Sequence, residues 1–227
     1  MVARYDGLAD WYDQQFPGPF FDAVSDILAR LLGRGDGRCL DVGCGSGRYF
    51  EALAGLGWQV NGIDESGDQL RVARPRAEAH GIELVEGDAT ALPFPDGSFD
   101  AVAAVMISTD VEPYESAVEE AARVLRPAGR FVHVGVHPCF VGPHSSQPDH
   151  AGRRTVGGGY RDRGYKQSSP AFHPQGIRIQ VGAVHIPLDA LLNAVSASGL
   201  RLDHVVEAYD DAGPPTILAL RAVREGT

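Results

Sequence analysis

Apolar residues recur along this chain of 227 residues with two alternating periods, helical in one segment and strand-like in the next. Val24, Ile27, Leu28 and Leu31 fall at helical spacing, which predicts an amphipathic helix over 20–32. Short strands are predicted over 39–42, 59–64 and 82–86, the second of them ending on Asp64. The intervening helices run to about Ala54, punctuated by Gly55 and Gly57, and to about His80, with Pro75 expected to kink the second. Phe99 to Met106 is almost continuously apolar, as a strand covered on both faces should be. A helix over 112–125 is stopped by Arg126-Pro127-Ala128-Gly129, and a fifth strand follows over 130–136.

From His137 to about Gln175 the periodicity is lost, and the stretch is rich in Gly, Pro, Ser, His and Arg. A loop of that length is expected to be either functional or disordered. Order returns with a strand over 177–184, a helix over 188–198 capped by Gly199, and strands over 200–209 and 216–223. Strands alternating with helices predict an α/β domain with a mostly parallel sheet and crossover helices. The length suits one domain with a sizeable core. Its expected parts are a helical cap (1–35), a cofactor core (36–136), an acceptor-binding or lid segment (137–180) and a closing helix with strands (181–227).

Composition narrows the partners. A net charge of −10 leaves no electrostatic footprint for nucleic acid or an anionic membrane. No apolar run is long enough to span a bilayer and the first residues lack a basic-then-apolar signal, so a cytoplasmic location is expected. Cys39, Cys44 and Cys139 are an odd number without C-x-x-C spacing, which indicates neither a disulfide framework nor a zinc knot.

The most informative run is Leu40-Asp41-Val42-Gly43-Cys44-Gly45-Ser46-Gly47-Arg48. An apolar strand ends near an acidic residue, and three alternate glycines open a turn where a ligand can approach the backbone closely. A dinucleotide fingerprint would need a small residue where Arg48 stands, although Asp64 lies about 20 residues past Gly43 as that fingerprint requires. A carboxylate at the mouth of the turn suits a ligand carrying an ammonium group. The run resembles motif I of the class I S-adenosylmethionine-dependent methyltransferases. Gly87-Asp88-Ala89, the stretch from Leu92 to Asp100, and Arg123 to Gly129 are also similar to that family, with Ala128 in place of a more usual glycine.

The resemblance implies a Rossmann-like, doubly wound, seven-stranded sheet with an antiparallel last strand, and S-adenosyl-L-methionine as cofactor. It implies that the loop Gly43, Cys44, Gly45 and Gly47 contacts the methionine part, and that Asp41 holds the loop or the ammonium group. A carboxylate at Asp64, followed by Glu65, can accept hydrogen bonds from both ribose hydroxyls. Asp88 accepts from the adenine amino group beside Ala89, and Met106 at the end of the fourth strand completes the set. Each acid also has an ordinary structural reading, Asp64 near a helix N-cap and Asp88 in a turn. Tyr5-Asp6-Gly7-Leu8-Ala9-Asp10-Trp11-Tyr12-Asp13 resembles a leader that folds over the cofactor, with Tyr12 as the first candidate contact and Tyr5 as the second. Aromatic packing of an N-terminal helix reads equally well.

The expected reaction is methyl transfer to an oxygen or nitrogen of a small organic molecule, by a monomer or homodimer. Two rivals stand beside it: a non-methylating reaction such as a cyclisation on the same fold, and a non-catalytic cofactor-binding regulator. Ser108-Thr109-Asp110 departs from the Asn-Pro-Pro-Tyr box of nucleic-acid amino methyltransferases. His137, ending the fifth strand, is expected to face the cleft as general base, or else to shape the pocket. His185, in His185-Ile186-Pro187-Leu188, is the second catalytic candidate, and His133 is expected to be a satisfied core residue. His144, His150, His173 and His185 bring no acidic or cysteine partners at metal-ligand spacing, so no metal is expected.

Overall fold

The structure is a computed structural model that describes residues 3–15, 18–208 and 213–226. Seven strands form one sheet in the order β3-β2-β1-β4-β5-β9-β8. They are β1 (Arg38–Val42), β2 (Gln59–Asp64), β3 (Glu83–Glu86), β4 (Phe99–Val105), β5 (Leu125–Val136), β8 (Leu200–Ala208) and β9 (Ile217–Arg224). β1 to β5 pair in parallel, and β9 runs antiparallel to both β5 and β8. β1 and β4 are buried almost throughout, which fits their unbroken apolar runs.

Helices cover both faces. α2 (Pro19–Leu32), α3 (Phe50–Gly55) and α4 (Gly67–His80) pack on one side, where Leu28, Phe50, Leu53 and Ala73 meet Cys39, Ala101 and Val132. α5 (Tyr114–Val124) and α7 (Leu188–Ala197) pack on the other, where Val118 and Leu191 meet Leu40, Val102 and Phe131. Strand order reverses between β1 and β4, so the carboxyl ends of these strands open a crevice at the switch point.

Several boundaries differ from the sequence pattern. The helix expected directly after the glycine run begins only at Phe50, because Gly43, Gly45 and Gly47 all take left-handed φ and hold the chain in turns. α4 passes through Pro75 as one span. The helix expected from Glu112 starts after Pro113, at Tyr114. The expected strand at 177–184 is instead the one-turn helix α6 (Arg178–Val181) followed by β7 (Ala183–His185). Ile177 and Val181, one helical turn apart, are both buried, and Gly182 breaks the turn at φ 68°. β7 pairs with β6 (Gly164–Lys166) in a second, two-stranded sheet that the sequence pattern did not indicate. α1 (Ala9–Gln15) heads the chain. Tyr209, the expected end of β8, lies outside the described residues.

Candidate active site

The crevice at the switch point holds a cavity of about 660 Å³. Its base is the glycine turn. A Cβ on Gly43 would lie 2.4 Å from Ile107 Cγ2, so the β1 and β4 ends approach as closely as only glycine allows. Gly45 donates its amide to Asp64 Oδ2 at 2.8 Å, and Ser66 donates to Asp64 Oδ1 at 2.9 Å. The strand-end acid therefore pins both the β1 turn and the start of α4. Burial pushes the Asp64 carboxyl up to about 6, against the pull of those two amides.

Of the residues assigned to the cofactor, Tyr12, Gly43, Cys44, Gly45, Asp64, Glu65, Asp88, Ala89 and Met106 all line this cavity. Asp88 Oδ1 accepts from the amide and the hydroxyl of Thr90 at 2.7 and 2.8 Å. Met106 turns at φ 61°, a conformation rare for a side chain of its size, with its amide bonded to the Val134 carbonyl. Asp41 and Gly47 do not line the cavity. Asp41 is buried behind the turn with Oδ2 unpartnered, and burial together with Asp64 pushes its carboxyl up to about 8. Gly47 shapes the turn, since a Cβ there would strike the Phe50 ring at 2.4 Å. Burial also raises Glu65.

Residues 3–15 form a strap over the cavity. Ser66 donates to Asp6 (2.6 Å) and the Gly7 amide to Asp68 (2.7 Å), while Asp13 meets Arg76 (2.9 Å) and accepts from Ser46 (2.7 Å). Arg48 lies over the Phe21 ring and 3.4 Å from Asp13, which explains a large side chain where a dinucleotide fold needs a small one. Tyr5 and Tyr12, edge to face at 5.4 Å, line the cavity from this strap.

Beyond the β4 end the wall is polar. The Arg178 guanidinium, from α6, pairs with both oxygens of Asp110 (Nη2 to Oδ2, 3.0 Å) and donates to Thr109 Oγ1 (2.9 Å). Tyr5 donates its hydroxyl to Asp110 Oδ1 at 3.1 Å, and Arg4 donates to the Asp110 carbonyl. Burial opposes the Arg178 charge, but Asp110 outweighs it and raises the guanidinium pKa. Burial raises the phenols of Tyr5 and Tyr12, so both stay protonated at neutral pH.

Neither histidine candidate reaches this cavity. His137 is 2 % exposed, its Nε2 lies 2.8 Å from Glu207 on β8, and its Nδ1 accepts from the Cys139 amide. It directly follows β5 but turns toward the sheet edge and not into the crevice. His185 Nε2 donates to the Tyr160 carbonyl at 2.7 Å, and the ring packs against His144 at 4.4 Å. Burial lowers both His144 and His185, which leaves them neutral. His133 is a core residue as expected, bonded to the Tyr114 hydroxyl at 2.7 Å. Among the described residues no group of three or more His, Cys, Asp or Glu side chains is placed to hold a metal.

Sequence reasoning did not single out Arg4, Gln69, Asp110 or Arg178. Asp110 carried a signal, as an acid just past a strand end. Arg178 carried none, because its segment reads as a strand. Unpartnered Asp41 Oδ2 and Gln69 Oε1, both buried at the glycine turn, suit a ligand that brings hydrogen-bond donors or positive charge.

An open, doubly wound sheet with a glycine turn and strand-end acids around one crevice defines a nucleoside-cofactor-binding α/β protein. Residues 40–133 match the family described as a methyltransferase domain. The fatty-acid O-methyltransferase of Mycolicibacterium smegmatis is 40% identical over 105 residues, 45% of this chain and 38% of that protein. The demethylmenaquinone methyltransferase of Thermus thermophilus is 43% identical over 99 residues, 42% of this chain and 45% of that protein. The match thus spans less than half the length of either relative. A solved S-adenosylmethionine-dependent methyltransferase from Mesorhizobium loti superposes with a TM-score of 0.71 at 27% identity, covering 96% of this chain and 99% of that one. Residues 40–133 are thus similar to a methyltransferase domain, and the fold is that of an S-adenosylmethionine-dependent methyltransferase.

Proposed function

We propose that this protein binds S-adenosylmethionine in the crevice at the switch point and transfers its methyl group to an oxygen or nitrogen of a small organic molecule. One observation carries the reading: the carboxylates that end β2 and follow β3 line a single cavity with the glycine turn of β1. The bound cofactor supplies an electrophilic methyl on a sulfonium. Asp64 keeps acceptor capacity on both oxygens beyond its two amide bonds, enough for a ribose diol. Asp88 serves the adenine edge beside Ala89. The turn would serve the ammonium group with Asp41 buried behind it, and Glu65 and Met106 line the same cavity.

Methyl transfer from a sulfonium is an in-line displacement, so acceleration rests on holding the acceptor close and aligned in a site closed to water. The strap 3–15 and the segment 137–180 are the parts that would close it. Small organic acceptors accord with the two relatives' names, a fatty acid and a demethylmenaquinone. The net charge of −10 works against a nucleic-acid acceptor. Among the described residues no helix is long and apolar enough to cross a membrane. Isothermal titration with S-adenosylmethionine and S-adenosylhomocysteine tests the first half of the reading. Saturable binding of both is expected, and no measurable binding of either overturns it.

A further inference from the structure

We propose that the Tyr5 hydroxyl, aimed by Asp110 and Arg178, accepts a hydrogen bond from the methyl acceptor, which is therefore a protic nucleophile carrying O–H or N–H. This rests on the methyl-transfer reading above.

Three separate segments converge on Asp110, which lines the cavity just past β4. The strap brings the Tyr5 hydroxyl and Arg4, the 137–180 segment brings Arg178, and Thr109 adds its hydroxyl to the guanidinium. A carboxylate paired on both oxygens with a guanidinium can only accept, so the Tyr5 proton must point at Asp110. The phenol oxygen then keeps its lone pairs, and no donor among the described residues reaches them. Tyr5 lines the same cavity. An oxygen that lines the cavity with unfilled acceptor capacity favours a ligand that donates a hydrogen bond and disfavours one that cannot.

Such an arrangement orients the nucleophile. With its hydrogen on Tyr5, the acceptor atom presents a lone pair to the methyl carbon. In the transfer the C–S bond breaks with its electrons going to sulfur, and the new bond forms from that lone pair. The acceptor's proton passes to the Tyr5 oxygen as the Tyr5 proton moves to Asp110, and from there it leaves to water. The cavity lining contains no histidine, so no ring nitrogen competes for this role.

The test uses matched probes that differ only in the donor: phenol with anisole, catechol with 1,2-dimethoxybenzene, and decanol with decyl methyl ether. Binding to the full chain saturated with S-adenosylhomocysteine is measured for wild type, Tyr5→Phe and Arg178→Lys. At least one protic probe should bind about tenfold more tightly than its ether, the worth of one buried hydrogen bond. Tyr5→Phe should bring that ratio to about one, and Arg178→Lys should reduce it, with S-adenosylhomocysteine affinity held. A merely structural role would weaken both members of a pair and leave the ratio alone. Ratios near one in wild type, no binding of any probe, or a ratio that survives Tyr5→Phe would each overturn the assignment. Loss of S-adenosylhomocysteine binding in wild type would instead strike the cofactor reading.

Discussion

The part of the cavity proposed to hold the cofactor and the part proposed to hold the acceptor are built by different means. The first is made of strand ends and one turn, with backbone amides and short acids fixed by the sheet register. The second is made of long side chains from the strap, the β4 exit and the 137–180 segment, meeting at Asp110. A site anchored on a sheet tolerates little change in backbone, whereas one assembled from side chains can change its ligand without disturbing the fold. Methyl transfer needs a fixed donor and a choice of acceptor, and the division matches that need.

The comparison breaks most sharply at Gly43. Its φ of 65° and the 2.4 Å approach of a would-be Cβ to Ile107 leave no room for a side chain. Gly43→Ala should cost about 1–3 kcal/mol in strain and lower S-adenosylhomocysteine affinity roughly tenfold to a hundredfold. Gly55→Ala is the control, because that glycine has open space around it and lies at a helix end. Titration calorimetry on both variants should separate them, and equal affinities would remove the claim that backbone approach builds this half.

The next effect is on pH. Asp41, raised to about 8 by burial and by Asp64, holds its proton more tightly folded than unfolded. Its contribution to stability is present below the unfolded carboxyl range and is lost as pH rises through 8. Asp64, raised to about 6, acts in the same direction at lower pH, while burial holds His133 at about 4 and opposes it. Only Asp41 of these three titrates between about 6.5 and 8. In calorimetric melts the ligand-free protein should lose stability across that window by at most about 1.4 kcal/mol per pH unit, and Asp41→Asn should flatten the slope. Saturating S-adenosylmethionine should flatten it as well, since a cation nearby favours the carboxylate. Parallel curves for wild type and variant would show that Asp41 is not the group responsible.

What could be read from the chain follows the same division. Alternating periods located the seven sheet strands, most plainly β1, β4 and β9, which bury apolar runs. The acids proposed to hold the cofactor, which line the cavity, were legible because they sit at fixed positions after those runs. Tyr12 was legible only through a resemblance. Arg178 was not, because nothing local marks a guanidinium whose partner lies 68 residues away in the chain. His137 shows the opposite error: its place at a strand end was correct, but the direction of its ring depends on Glu207, carried by a strand seventy residues later. Residue type and spacing report what the backbone fixes, and side chains that meet across the fold leave little trace in either.

A smaller effect is expected at the strap. Its fastenings are partly exposed, with Asp13 18% and Arg76 42% accessible, so each pair is worth about 0.2–1 kcal/mol. Arg76→Ala should speed S-adenosylhomocysteine release by roughly two- to fivefold in stopped flow. In wild type the same rate should rise between about 0.05 and about 0.5 M salt, and the variant should respond less. A salt-independent rate would mean that the aromatic contacts of Tyr5 and Tyr12 hold the strap closed.

The smallest effect is predicted where sequence reasoning placed catalysis. His185 donates to the Tyr160 carbonyl, stacks on His144 and pairs through β7 with β6, all within the 137–180 segment and its border. A neutral ring whose only donor is already committed to a carbonyl cannot also serve as an acid toward the crevice, and it lines a separate void of about 20 Å³. His185→Gln keeps a donor at that carbonyl, so S-adenosylhomocysteine affinity should stay within about twofold while the melt shifts by about 1 kcal/mol or less. Limited proteolysis within 146–176 should quicken even so, because the substitution loosens the segment that carries Arg178. If the cofactor affinity fell tenfold instead, the two halves of the cavity would be coupled through this segment, and the division argued from their construction would fail.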